Sequence, residues 1–436
     1  MPAPGFSPSG DFLHRRLAAG VDLFLHPTRR FKTARIQACL AQPLTEGNAA
    51  AMSLAASVLK QGTADRPSRR ALYGALDDLH GAEMDLDTVR IGEAHVLEAE
   101  LEMPSDRFSG ERGALGKGIA LLAEVLGRPR MEGRGLPGAI LRQERRNLRE
   151  ALAAVINHKP SYATLRCLKA ACPREPYRIG RLGTREALGK WHPEALAAFW
   201  RDAVSRLPMA LYAVGDFDPG EMADRLAGAL LPLRRGTPRP RPSGGFRLAF
   251  PKVPVEASER AAVSQVRLCL AFRTNIAWNS EAAGALTMAQ MVLGGGSHAK
   301  LFREVREKAS LAYDAYASLE RTKGLLLVSA GVDPAQRERA EAILLEQVEA
   351  LRRGSISERE WTDSRKSLLN AIRTARDSSA RMVAAHLEGW INGSPRSAAE
   401  SRRRILAVTP DAAAAAARRL AHAATFRLLD RRRART

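Results

Sequence analysis

Gly294-Gly295-Gly296-Ser297-His298 leads through Ala299–Lys308 to Tyr313, so a glycine hinge, a basic segment containing Arg306 and a tyrosine follow one another without filler. A guanidinium and a phenol are good hydrogen-bond donors to a carbonyl oxygen that gains negative charge as water adds to its carbon. The groups that would activate such a water are harder to find. No two of the nine histidines are spaced to share a metal on one helix face. Gly92-Glu93-Ala94-His95-Val96-Leu97-Glu98 superficially offers a histidine and a carboxylate. The alternation of this stretch is that of a strand, however, where residues three apart point to opposite faces. His298 reads as a lone, solvated histidine. The glycines read either as an ordinary helix stop or as a loop facing a ligand, three in a row being more than a cap requires.

These residues need elements to hold them. The stretch 234–246 is a linker, because its proline and glycine forbid both helix interior and central strand. The division expected is an N-terminal domain over 1–233 and a C-terminal domain over 247–436, with the same order of elements running through each half, as an internal duplication leaves it. In the first half, strands are expected at Val21–Leu25 and Ala34–Leu40, a helix from about Asn48 to Lys60, and a second helix after Pro67-Ser68 that ends at Gly81. Leu97–Met103 then alternates Leu97, Ala99, Leu101 and Met103 with Glu98, Glu100 and Glu102, the period of a half-exposed strand. In the second half, strand Ser264–Arg273 precedes a helix over Ser280–Leu293, a helix over Leu301–Lys308, and strands Leu311–Leu319 and Gly324–Val332.

Composition bounds the rest. At 436 residues, 45% hydrophobic and 26% charged, the chain is globular and long enough for two cores. No segment approaches the roughly 20 apolar residues of a membrane span. Met1–Arg16 lacks the apolar stretch of a secretory signal, and the expected compartment is the cytoplasm. The four cysteines, Cys39, Cys167, Cys172 and Cys269, read as buried thiols, since the single close pair has no second half to complete a zinc site. A net charge of +21 would suit a nucleic-acid binder, yet the basic residues lie in scattered doublets such as Arg69-Arg70 and Arg352-Arg353, and aromatics are only 5%. Arginine replacing lysine on solvated faces explains most of it. The tail Arg431-Arg432-Arg433-Ala434-Arg435 offers a grip for an acidic surface.

Nearly the whole chain resembles the pitrilysin/insulinase family of zinc metallopeptidases, in its processing-peptidase-like branch. The resemblance rests on Leu293 through Tyr313, on Glu175-Pro176-Tyr177 leading to Gly183, and on Val214-Gly215-Asp216-Phe217-Asp218. Lys60-Gln61-Gly62-Thr63, Pro67-Ser68-Arg69-Arg70 and Leu76-Asp77-Asp78-Leu79-His80-Gly81-Ala82 are similar to the inactive member of a bacterial pair associated with aminopentanol modification of elongation factor P. Active relatives carry H-x-x-E-H on a helix just before a K-G-T-like turn, holding zinc and activating water. Placing that turn on Gln61-Gly62-Thr63 puts the motif on Ser53, Ala56 and Ser57, which bring no imidazole and no carboxylate. The third ligand maps near Glu150 or Ala151.

The resemblance also implies that Arg306 and Tyr313 contact substrate backbone and that Gly294, Gly295 and Gly296 lie beside the peptide path. Outside this match, Arg306 would end a surface helix and Tyr313 would fill a strand edge. The implied fold is α+β: two homologous domains, each a mostly antiparallel sheet packed with helices, forming half of a clam-shell chamber. The implied function is that of a non-catalytic subunit of a heterodimeric zinc peptidase. No cofactor is expected in this chain, the zinc residing in a homologous partner, and peptide would be held as an added strand. One rival reading is a stand-alone binding protein for acidic peptides or nucleic acid. Another is an active peptidase with an unrecognised metal site, which the histidine spacing disfavours.

Overall fold

The computed structural model describes residues 5–431, so Arg432 to Arg435 of the basic tail lie outside the described residues. Two α+β units are present, each built on one sheet. The first takes the chain up to Ala153, Ile179–Ser243 and Arg376–Ser397; the second takes Ala154–Arg178, Gly244–Ala375 and the chain from Ala398 onward.

The first unit holds β1 (Ser7–Ser9), β2 (Phe12–Ala18), β3 (Val21–Pro27), β4 (Thr33–Pro43), β5 (Glu83–Ile91), β6 (Ala94–Pro104) and β7 (Met209–Gly215). Their order is β1-β2-β3-β7-β4-β6-β5, antiparallel except where β3 meets β7. The second unit holds β8 (Val255–Ala261), β9 (Val266–Arg273), β10 (Ala312–Glu320), β11 (Leu325–Val332) and β12 (Ala421–Asp430), in the order β10-β11-β9-β12-β8. Again one pair, β12 with β8, is parallel. Both sheets are therefore mostly antiparallel, as expected.

The unit boundaries differ from a contiguous split at the linker in two segments, and the strands explain both. Every residue of β7, β9 and β11 is buried. A strand buried all along its length needs cover on both faces of its sheet. In the first unit, helices such as Glu46–Leu59, Ala114–Gly127 and Pro193–Arg206 cover one face. The helix Ser379–Ile391 covers the other, laying Met382, Val383, Leu387 and Trp390 against Phe12, Phe24 and Tyr212. There His386 donates from Nε2 to the Ser9 carbonyl at 3.1 Å and lies 3.1 Å by Nδ1 from the Tyr212 hydroxyl, and burial pulls its pKa down to about 4. In the second unit, the helix Lys159–Ala171 does the same with Ala163, Cys167 and Leu168 against Cys269, Leu327 and Phe426. It is followed by Glu175, which takes an ion pair from the Arg273 guanidinium and another from Lys323 at 2.6 Å. Burial alone would raise this carboxyl, but those two cations outweigh it and hold it low.

All four cysteines are buried and none forms a disulfide among the described residues. Among the described residues no helix is long and apolar enough to cross a membrane.

Candidate functional site

The helix Glu46–Leu59 begins where Thr45 accepts from the Asn48 amide at 3.1 Å and carries the position at which zinc ligands would stand. Ser53 and Ala56 are each only 3% exposed. The Ser53 hydroxyl lies 3.1 Å from both the Thr88 hydroxyl and the Arg181 carbonyl, and the Ser57 hydroxyl donates back to the Ser53 carbonyl at 3.0 Å. The same Arg181 carbonyl accepts from Nε2 of His95 at 2.8 Å. Burial holds the pKa of that histidine down at about 4. Two engaged hydroxyls and a methyl are not zinc donors. Glu150 and Ala151, on the helix Gly138–Ala154, are both exposed, and it is Glu144 of that helix that accepts from the Gln61 amide at 3.0 Å. No group of three or more His, Cys, Asp or Glu among the described residues is arranged to hold a metal. The residues present do not fit zinc.

The second candidate region is differently built. Phe302–Lys308 is a π-helix rather than the ordinary helix expected, closed by the Ala309 amide on the Glu304 carbonyl five residues back, at 3.2 Å. Such turns add about one residue per turn and recur at functional sites. Ser310 follows with φ +53°, a left-handed conformation that a serine adopts only under local constraint. The chain then enters β10, whose register to β11 shifts between Ala312 and Asp314. Tyr313 is the extra residue of that bulge, re-aimed by it and 72% exposed. Arg306 and Tyr313 do come together: the guanidinium carbon sits 5.7 Å from the centre of the Tyr313 ring and 4.6 Å from that of Phe302. Behind them Asp314 accepts from Arg267 at 2.5 Å and from the Gly331 amide at 3.0 Å, which pins the bulge. β10 ends its sheet's strand order and pairs with β11 alone among the described residues, so it is an edge strand; the Gln290 side-chain amide caps its Ala317 carbonyl at 2.7 Å.

The three glycines have separate reasons. A Cβ on Gly294 would lie 2.2 Å from the Ala317 amide nitrogen, so this buried glycine lets the end of the helix Ala283–Gly294 press on β10. A Cβ on Gly295 would meet Met291 at 2.6 Å. Gly296 alone of the three is exposed, followed by exposed Ser297 and half-buried His298.

A feature of the first unit escaped the sequence reading. β5 and β6 pair so that Glu83 faces Glu102, Asp85 faces Glu100 and Asp87 faces Glu98. These carboxylates stand on the sheet face opposite Leu86, Leu97 and Leu101, which pack in the helix-covered core. Arg35 bridges Glu100 and Glu102, Lys60 pairs with Asp85 at 2.9 Å, and Arg181 pairs with Asp87 at 2.7 Å. Among the described residues Glu98 has no such bridge, and burial, then Glu100 and Asp87, push its pKa up to about 7 against a lowering hydrogen bond from Gln37. The alternating glutamates of β6 were visible in sequence; their partners required the register.

Comparison with known proteins identifies the family. Residues 190–368 match the family model described as the peptidase M16 inactive domain. The chain is 30% identical over 354 residues to the probable inactive metalloprotease YmfF of Bacillus subtilis, covering 81% of this chain and 82% of that protein. Among solved structures, a conserved protein from Enterococcus faecalis superposes with a TM-score of 0.89 at 24% identity, covering 97% of this chain and 99% of that one. A peptidase M16 inactive domain from Pseudomonas fluorescens gives 0.81 at 18% identity, covering 96% and 98%. The chain therefore belongs to the M16, or pitrilysin/insulinase-type, peptidase family as one of its inactive members.

Proposed function

We propose that this chain is the non-catalytic, substrate-binding subunit of a heterodimeric zinc metallopeptidase, its zinc and water-activating carboxylate being supplied by a homologous H-x-x-E-H subunit. The observation that carries the reading is a contrast: the zinc-ligand position is packed shut around Ser53, while Arg306 and Tyr313 are stacked and exposed beside an open strand edge. A peptide adding to β10 as a further strand would satisfy that edge and run past both side chains. The guanidinium and the phenol would then donate to a substrate carbonyl as it gains charge, a role that needs no metal on the same chain. Neither the glycine loop nor the donors would bind zinc, and the chain alone would hydrolyse nothing. The compartment proposed is the cytoplasm, a reading supported by four buried cysteines that form no disulfide among the described residues.

The test is a pull-down of the tagged chain from its own cell extract, with mass spectrometry of what returns and a metal assay on the same eluate. The expected result is a stoichiometric H-x-x-E-H relative that carries the zinc. A metal-free chain returning alone or with nucleic acid would overturn the reading.

A further inference from the structure

In the second unit a cleft of about 670 Å³ opens between the π-helix, the loop that ends the glycine run and the helix Glu358–Ala375. Its size is that of a small-ligand pocket. One wall is a helical stripe: Arg359, Asp363, Lys366 and Asn370 recur at the spacings of a single face. The facing wall is Arg303 and Glu307, and His298 closes the end beside the glycines.

The walls are clamped from behind. Lys300, next to the π-helix, donates to both carboxylate oxygens of Glu360 at 3.0 and 3.2 Å, and both side chains are buried. Glu360 also closes a capping box with Ser357, accepting from its amide at 2.9 Å while the Ser357 hydroxyl accepts from the Glu360 amide at 3.2 Å. The loop end and the helix start are thus tied by one ion pair, so the cleft is held open ahead of any ligand.

Its unused donors define what it would take. Nε2 of His298 is buried with no hydrogen-bond partner, and Lys366 makes no ion pair among the described residues. Arg359 is partly neutralised by Asp363 at 3.7 Å, and Arg303 only grazes Glu360 at 3.9 Å. Glu307 is a carboxylate that no cation engages among the described residues. A single negative group can sit among His298, Lys366 and Arg303, whereas a run of charges such as a nucleic-acid backbone would meet Glu307. Arg303 lines the cleft and Arg306 contacts Tyr313, so one short helix borders both the cleft and the Tyr313 edge.

We infer that this cleft is a subsite for one carboxylate of the peptide bound at the β10 edge, either an acidic side chain or the peptide's own C-terminus. The inference rests on the strand-edge reading above and names the substrate class that reading left open. Fluorescein-labelled octapeptides of alternating valine and threonine test it by anisotropy on the full chain. One version is neutral and amidated, one carries a single glutamate and is amidated, and one is neutral with a free C-terminus. At least one carboxylate version is expected to bind about tenfold tighter than the neutral peptide. That advantage should vanish in Lys366→Glu and shrink in His298→Ala, and whichever version gains identifies the source of the carboxylate. Equal binding of all three peptides, or an advantage that survives Lys366→Glu, overturns the inference and leaves the strand-edge reading standing. Failure of every peptide to bind would remove both.

Discussion

Replacing Glu98 by glutamine should stabilise the protein at alkaline pH and leave it unchanged in acid. Glu98 faces Asp87 across the β5–β6 pair and neighbours Glu100 on its own strand; no cation among the described residues bridges it, and it ionises near 7 instead of its ordinary 4.5. A carboxyl whose folded pKa is raised favours the folded state's neutral form. Its stabilising contribution is therefore complete below pH 4.5 and is lost as pH rises through 7. Each tenfold displacement is worth about 1.4 kcal/mol, so the ionised form costs the fold up to about 3 kcal/mol above pH 7. Glutamine keeps the shape and removes that cost. Scanning calorimetry of the full chain at pH 5 and pH 8 reads it: for a unit of this size, about 3 kcal/mol corresponds to roughly 6–12 °C. The gap between variant and parent should open between the two pH values. Glu83→Gln at the exposed end of the same ladder should change stability by under about 0.5 kcal/mol at either pH. A Glu98→Gln effect that is flat with pH, or larger in acid, would refute the carboxylate-ladder argument.

Further outcomes follow from other parts of the molecule. His386 and His95 both titrate near 4 rather than 6.5, so each contributes stability above pH 6.5 that is lost as pH falls towards 4; in His386→Gln, acid unfolding should be shallower by one proton, read from the pH slope of urea midpoints. Gly294→Ala should destabilise by about 1–3 kcal/mol, because its Cβ would lie 2.2 Å from the Ala317 nitrogen, and thermal melts check it. Arg306→Ala or Tyr313→Phe should lower turnover by the complex with the proposed zinc-bearing partner by about 100-fold while size-exclusion chromatography finds assembly intact; unaffected turnover would end the donor assignment. Writing the lost motif back as Ser53→His, Ala56→Glu and Ser57→His should yield a less stable protein that binds no zinc, measured by metal content after dialysis.

Much of the fold was legible because the strands declare their period. The alternation of Leu97–Met103 fixed both the strand and which side chains face the helices, and it separated His95 from Glu98 before any coordinates. The exchanged helices were not legible. The apolar residues of Lys159–Ala171 and Ser379–Ile391 say that each helix must be covered, but not by which sheet, since that choice is made by strands distant in sequence. Leu301–Lys308 looked like an ordinary helix, because a π-turn differs from it by a hydrogen-bond offset that side-chain pattern does not report. In sequence the glycine run reads as a helix stop or a ligand-facing loop, and only the contact of Gly294 with β10 shows that its first member is a packing residue.

The two candidate regions differ in what a substitution can undo. Around Ser53 the helix is packed shut: the Arg181 carbonyl accepts from Ser53 and His95 together, and Thr88 seals the third side. An imidazole at position 53 would break the buried hydrogen bonds of Ser53 to the Arg181 carbonyl and the Thr88 hydroxyl, a loss of about 1–3 kcal/mol before any metal arrived. At β10 the reverse holds. An exposed tyrosine on a bulge and an arginine with no carboxylate partner among the described residues contribute little to folding, since surface cation–aromatic contacts are worth about 0.5–1 kcal/mol. An open strand edge is moreover a hazard that folded proteins ordinarily blunt. Features that do so little for the fold, kept in place by a π-helix and a strained Ser310, are what a binding edge requires, and it is this asymmetry that supports the proposal of a substrate edge at β10.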